Sequence, residues 1–98
     1  MPKTFTLEID RTVTKLSGNK LGRSIYGQQV QPTVDFKSEM TFIFPEWIDF
    51  LASSFIQGFF YEIVKEIGID GVESRVHVIS QMPNIKEVVM QSLLSKEG

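Results

Sequence analysis

One aromatic helical stretch constrains the fold of this chain more than any other feature. Apolar residues recur at positions 55, 56, 59, 60, 63, 64 and 67, which is the spacing of one broad helix face. Ser54 precedes them with Gln57 three residues later, as in a capping box, and Gly68 follows them as a stop signal. Such a helix is insoluble unless another element covers its apolar face. We therefore predict a helix over 54–67 that packs against a sheet.

Short runs of alternating or β-branched residues predict that sheet. Strand-like segments lie at 4–9, 12–16, 33–36, 40–44 and 75–80. The order of strand, helix and strand between residues 40 and 80 predicts a right-handed βαβ unit whose two strands are parallel.

The remaining segments complete a single α/β domain over residues 1–98. Residues 21–30 predict either a short helix or an ordered loop, because each of the two glycines weakens a helix by about 1 kcal/mol relative to alanine. A last helix is predicted to begin at Asn84, with Glu87 at the capping-box position. We expect a mixed sheet of about four strands with helices packed mainly on one face.

Composition and charge narrow the classes of function. The chain has no cysteine, which excludes disulfides, thiol catalysis and thiolate metal sites. Its net charge of −2 argues against a general nucleic-acid binder. The chain contains no apolar run of about 18 residues, so no membrane span is predicted. The first residues also lack the pattern of a signal peptide, so we expect a cytoplasmic protein.

No catalytic or metal-binding set can be assembled from these residues. His77 is the only histidine, and it has no second histidine or cysteine to complete a metal site. Glu62 and Glu66 are four residues apart on the polar side of the predicted helix, which is typical of a solvated surface. We therefore expect neither enzyme activity nor a cofactor.

The order of motifs resembles the STAS fold of the anti-sigma-factor antagonists, and more closely the STAS-like domains of unknown function. The resemblance covers about residues 21–95 and rests on the Ala-Ser-Ser-Phe turn at 52–55, the aromatic helix and the strand at 76–80. Arg23 lies in a Gly-Arg segment that is similar to one in some of those domains. The resemblance implies a small bacterial or phage protein that regulates signalling or transcription by binding a protein partner, of the type of the histidine-kinase-like ATPases.

The same resemblance implies a regulatory serine. STAS antagonists carry it in an Asp-Ser-Ser/Thr-Gly turn, whereas here Asp49 lies three residues farther back and Phe55 replaces the glycine. Ser53 and Ser54 are the candidates for phosphorylation, with Asp49 and Phe50 beside them. The alternative is that Ser54 is only a helix cap, which contributes about 1 kcal/mol, and that Ser53 fills a tight turn.

Trp47, Gln57 and Arg23 complete the predicted interaction surface, with Tyr61 as a further aromatic candidate. Tryptophan, tyrosine and arginine are enriched in interface hot spots, although such aromatic residues also border hydrophobic cores. A second hypothesis is a small structural or host-interaction protein that self-associates as a homo-oligomer through a buried aromatic face.

Overall fold

Three short strands form the main sheet of the molecule, and they are parallel. The computed structural model describes residues 2–95. Along the chain, the elements are β1 (Lys3–Thr6), β2 (Lys15–Leu16), α1 (Asn19–Gln29), a 3-10 helix (Gln31–Thr33), β3 (Met40–Ile43), β4 (Phe50–Leu51), α2 (Ser53–Phe59), α3 (Tyr61–Arg75), β5 (Val76–Ile79) and α4 (Ile85–Leu94). The strand order of the main sheet is β1-β3-β5, with Phe42 of β3 beside Phe5 and Val78.

The predicted parallel pairing of the two strands of the βαβ unit is confirmed, because β3 and β5 are parallel neighbours with α2 and α3 between them in sequence. The predicted four-stranded mixed sheet is wrong. The main sheet has three strands, β2 and β4 form a separate two-stranded ladder, and every strand pair within residues 2–95 is parallel.

The segment 33–36 is not a strand because Asp35 closes a turn there. Its carboxylate accepts hydrogen bonds from the Lys37 N–H at 3.0 Å and from the Ser38 hydroxyl at 2.9 Å. These bonds, first that of Lys37 and then that of Ser38, hold the pKa of the Asp35 carboxyl below its usual value. Between the 3-10 helix that ends at Thr33 and this turn, too little extended backbone is left to form a strand.

The main sheet is covered on one face and exposed on the other. Phe5, Met40 and Val76 are buried on the covered face. The residues that alternate with them are more open, and Thr4 is exposed while Ile79 is 54% exposed. The helices therefore lie mainly on one face, as predicted. Parallel sheets usually have both faces covered, so the exposed face is uncommon.

Phenylalanine rings fill the space between the covered face and α2. Phe42 stacks on Phe5 with 5.2 Å between the ring centroids, and it meets Phe59 and Phe60 edge-on at 5.3 and 5.7 Å. Such offset and edge-on pairs are favourable beyond the area that they bury. Phe55, Phe59 and Phe60 of the predicted helix are thus core residues, as their spacing indicates.

The helix predicted over 54–67 is in fact two helices. Phe60 separates α2 from α3 with φ −94° and ψ 4°. Gly68 does interrupt α3 with a left-handed φ of 75°, but helical residues continue to Arg75. Gly71 and Val72 are buried beyond the interruption, so packing stabilises a last stretch of helix that the local stop signal disfavours.

Two glycines bring α1 against α2. The segment that predicted either a short helix or a loop is a helix of eleven residues. A Cβ atom on Gly22 would overlap the backbone of Phe55 and Phe59, and a Cβ atom on Gly58 would overlap that of Asn19. The two helix backbones therefore approach more closely than any other residue at these two positions would allow.

The last helix begins at the predicted place but without the predicted cap. Asn84 occupies the N-cap position in the left-handed conformation, with φ 55°, and its side chain makes no cap hydrogen bond within residues 2–95. The predicted capping box with Glu87 is therefore wrong. No helix among these residues is long and apolar enough to span a bilayer.

Candidate protein-interaction site

The Ala-Ser-Ser-Phe turn joins β4 directly to α2. Ala52 is extended, and its N–H donates to the Leu16 carbonyl at 2.9 Å. Its own carbonyl accepts the N–H of Ile56, as the first helical bond. Because pairing with the β2 strand holds Ala52 extended, the helix begins one residue earlier than predicted. Ala52 is the N-cap, and the predicted capping box of Ser54 and Gln57 is wrong.

Ser54 instead connects α2 to the loop before α1. Its Oγ accepts a hydrogen bond from the Gly18 N–H at 3.0 Å. Gly18 has a φ of 100°, a conformation that favours glycine. The side chain of Ser54 remains exposed, so its oxygen is accessible while it holds this loop.

Ser53 contacts α4 on the other side of α2. The hydroxyl of Ser92, which is 4% exposed, donates to Ser53 Oγ at 3.2 Å. Gln57, one turn farther along α2, donates through Nε2 to the Ser92 carbonyl at 3.0 Å. The adjacent serines therefore connect α2 to different neighbours, and a phosphate on either one would disturb a different contact.

Gln57 also borders an apolar groove beside α4. The groove is lined by Gln57, Tyr61, Val64, Lys65 and Leu93. Tyr61 is 44% exposed although it follows directly on the buried Phe60. This places a large aromatic ring at the rim of an apolar surface.

Arg23 reaches this surface through the ring of Tyr61. Its guanidinium carbon lies 4.5 Å from the ring centroid, and the Lys65 ammonium lies 5.8 Å from it. Lys65 is also 3.8 Å from a carboxylate oxygen of Glu62, in an exposed pair. Cations over an aromatic face are attracted to its electron density. The rim of the groove therefore carries the positive charges of Arg23 and Lys65, with the Glu62 carboxylate beside Lys65. We call Ser53, Ser54, Gln57, Tyr61 and Arg23 the serine face.

Asp49 and Phe50 flank the serine turn in the ladder of β2 and β4. The Asp49 carboxylate accepts a hydrogen bond from the Lys15 ammonium at 3.1 Å, in an exposed ion pair. Phe50 is 44% exposed. Among residues 2–95, neither of these two side chains bonds to the hydroxyl of Ser53 or Ser54. The hydrogen-bond partners of the two serines are those described above.

Trp47 lies apart from the serine face, near the carboxyl ends of the sheet strands. Its indole N–H donates to the Asp10 carbonyl at 3.0 Å, and the Arg11 guanidinium carbon lies 4.9 Å from its ring centroid. The groove that Trp47 lines includes Ile79 and shares no lining residue with the groove beside Gln57. The single surface predicted from the sequence therefore divides into two.

Five residues of this region were not predicted as site residues, and these are Gly18, Val64, Lys65, Ser92 and Leu93. A usable signal was the spacing of four residues between Gln57, Tyr61 and Lys65, which favours a common helix face.

The described part of the chain, residues 2–95, has no group of three or more His, Asp or Glu side chains that could hold a metal ion. Comparison with protein-family models, with curated proteins and with solved structures gives no match for this chain. The resemblance to STAS-like domains therefore stays a prediction from the sequence motifs.

Proposed function

We propose that this protein is a non-catalytic, STAS-like protein-interaction domain of bacterial or phage signalling or transcription regulation, acting in the cytoplasm. The serine face binds the partner. The observation that carries the proposal is the exposed ring of Tyr61, which lies near Arg23 and Lys65 at the rim of an apolar groove. Tyrosine and arginine beside an apolar pocket are the residues that dominate binding energy in protein interfaces.

The chemistry of the groove defines the partner surface that fits it. Val64 and Leu93 supply apolar contact area, and Arg23 and Lys65 supply positive charge at the rim. The complementary surface is an apolar anchor flanked by aspartate or glutamate, because opposite charges orient partners and speed their association. The STAS-like resemblance suggests a histidine-kinase-like ATPase as the protein that carries it.

Capture with matched variants tests the proposed surface. Tagged wild-type protein, a Tyr61→Ala variant and an Ile79→Ala variant are incubated with lysate of the native cells, and bound proteins are quantified by mass spectrometry. Ile79 is the matched control because it is an exposed apolar residue outside this groove. We expect the true partner to be lost with Tyr61→Ala and retained with Ile79→Ala.

The captured protein is then purified and titrated by calorimetry. Loss of a hot-spot side chain is expected to weaken the dissociation constant by at least about tenfold. Equal affinity of the wild type and the Tyr61→Ala variant contradicts the proposal, whatever protein is captured. Recovery of a histidine-kinase-like ATPase supports the pathway that the resemblance suggests.

Negative charge on the serine turn is expected to weaken the same complex. Phosphoserine adds about −1.5 to −2 charges, which repel an acidic partner segment. Ser53→Asp and Ser54→Asp imitate part of this charge, and Ser54→Asn is the neutral control of similar size. We expect calorimetry to show weaker binding for the aspartate variants only, with the thermal midpoints of all three near wild type. Unchanged binding by both aspartate variants shows that the turn is not the switch.

A further inference from the structure

β1 is an edge strand whose outer backbone groups lack a neighbouring strand. The N–H of Lys3 donates to the Glu39 carbonyl at 2.8 Å, and the bonds of β1 to β3 recur at every second residue. Because alternate residues of a strand direct their backbone groups to opposite sides, those of Thr4, Thr6 and Glu8 point away from β3.

Gln29 already supplies the bonds of a neighbouring strand at Glu8. Its Nε2 donates to the Glu8 carbonyl at 2.9 Å, and its Oε1 accepts from the Glu8 N–H at 2.8 Å. The side-chain amide thus takes the place of a peptide group. Within residues 2–95, the outer backbone groups of Thr4 and Thr6 have no such partner, and both residues are exposed. The free edge is therefore two bonding residues long.

The opposite edge of the sheet, along β5, is occupied at its first outward-facing residue. The ammonium of Lys86 donates to the Val76 carbonyl at 2.7 Å and to the Glu73 carbonyl at 3.0 Å, tying α4 to the start of β5. The Val76 N–H bonds back to the Val72 carbonyl of α3. Within residues 2–95, Val78 is the one residue of β5 whose outer backbone groups lack a partner, so β1 offers the longer free edge.

We propose that two copies of this chain join by antiparallel pairing of their β1 strands, with Phe5 opposite Phe5 of the second copy. In this register Thr4 exchanges both backbone hydrogen bonds with Thr6 of the second copy, and Thr6 does the same with Thr4 of the second copy. The pairing uses every free backbone group of the edge. It is also self-complementary, which a two-fold dimer requires.

The register ends where the free edge ends, and this favours a second copy over an unrelated extended peptide. The next bonding position would match Pro2 with Glu8 of the second copy. Proline has no N–H to donate, and the backbone of Glu8 is already bonded to Gln29. A longer foreign strand would have to displace Gln29, whereas a second β1 stops before it.

The side chains on both faces suit the same pairing. On the covered face, Phe5 stacks on Phe42 and is 7% exposed. A second Phe5 opposite it would extend the row of rings from the core of one copy to the core of the other. On the exposed face, Thr4 lies opposite Thr6 of the second copy, and such threonine pairs are favourable. The inference is independent of the serine face, and it specifies a surface for the self-association that the sequence left as an alternative.

Paired charge variants test this register. Thr4→Lys with Thr6→Lys places lysine opposite lysine at both cross-strand positions, whereas Thr4→Glu with Thr6→Lys places glutamate opposite lysine. Both variants change only exposed side chains. By sedimentation velocity over a concentration series, we expect the dissociation constant of the dimer to rise about tenfold in the double-lysine variant and to return toward wild type in the glutamate–lysine variant.

Amide hydrogen exchange of the wild type supplies a second readout that needs no variant. The amides of Thr4 and Thr6 are expected to be more protected at millimolar than at micromolar concentration. A monomer mass and unprotected amides of Thr4 and Thr6 at every concentration overturn the proposal. Association that the double-lysine variant leaves unaltered overturns it as well, because the contact then lies elsewhere.

Discussion

Replacing Gly58 by alanine is expected to destabilise the protein by roughly 2–3 kcal/mol, although alanine is the better helix former by about 1 kcal/mol. A Cβ atom at this position would lie 2.8 Å from the carbonyl carbon of Asn19 and 2.9 Å from its Cα atom. These are backbone atoms and cannot rotate away as a side chain can. The helices α1 and α2 must therefore move apart, which loosens a densely packed core.

Gly27→Ala is the matched control for this prediction. Gly27 also lies in a helix, but the nearest atom to an added Cβ is Oε1 of Gln31 at 3.8 Å, an ordinary contact. This variant is expected to gain up to about 1 kcal/mol from helix propensity alone. Urea unfolding of both variants measures the two changes in the free energy of unfolding, which are expected to have opposite signs. Wild-type stability in Gly58→Ala would show that α1 does not lie this close to α2.

The serine face depends on the same helix junction. The Ser54–Gly18 hydrogen bond and the contact of Arg23 with Tyr61 both cross from the region of α1 to α2 and α3. Separation of the two helices would therefore displace parts of the proposed binding surface. Binding measurements on glycine variants must accordingly be read together with their stability.

The features that could be predicted from sequence are those encoded by neighbouring residues. Met40, Phe42 and Phe44 alternate along the chain, and all three are buried on the covered face of the sheet. The apolar stripe from Phe55 to Ile63 likewise identified the buried side of α2 and of the start of α3. Periodicity of two or of about 3.6 residues is a local signal, so it predicted the βαβ unit and much of the core.

The contacts of the serine turn could not be predicted in this way. Ser54 bonds to Gly18, 36 residues away, and Gln57 bonds to Ser92, 35 residues away. A hydroxyl or an amide can bond to many groups, and a capping-box spacing does not exclude a distant partner. The true cap, Ala52, carries no side-chain signal and is set by strand pairing.

The sheet was overestimated because two of its predicted segments do not join it. Residues 33–36 form the turn that Asp35 closes. The segment 12–16 contributes only β2, whose two residues pair with β4 rather than with the main sheet. Trp47 was grouped with the serine turn for a related reason. Nearness in sequence suggested one surface, but the turn after Pro45 directs the indole toward Asp10.

Truncation of Phe59 to alanine is expected to cost about 3–5 kcal/mol. That is a large share of the roughly 5–15 kcal/mol that stabilises a typical domain. Phe59 is fully buried. Its ring centroid lies between 5.0 and 6.0 Å from those of five other aromatic residues, which are Tyr26, Phe42, Phe44, Phe55 and Phe60. These rings belong to α1, the sheet and α2, so the lost ring leaves a cavity where three elements meet.

Phe50→Ala removes the same side chain from an exposed position and is the control. Phe50 is 44% exposed, so its loss is expected to cost less than about 1 kcal/mol. Phe59→Leu retains most of the volume and should recover part of the loss, because the cost of truncation grows with the size of the cavity. Urea unfolding followed by circular dichroism gives all three free energies. If Phe59→Ala costs no more than Phe50→Ala, the ring of Phe59 does not hold α1, α2 and the sheet together.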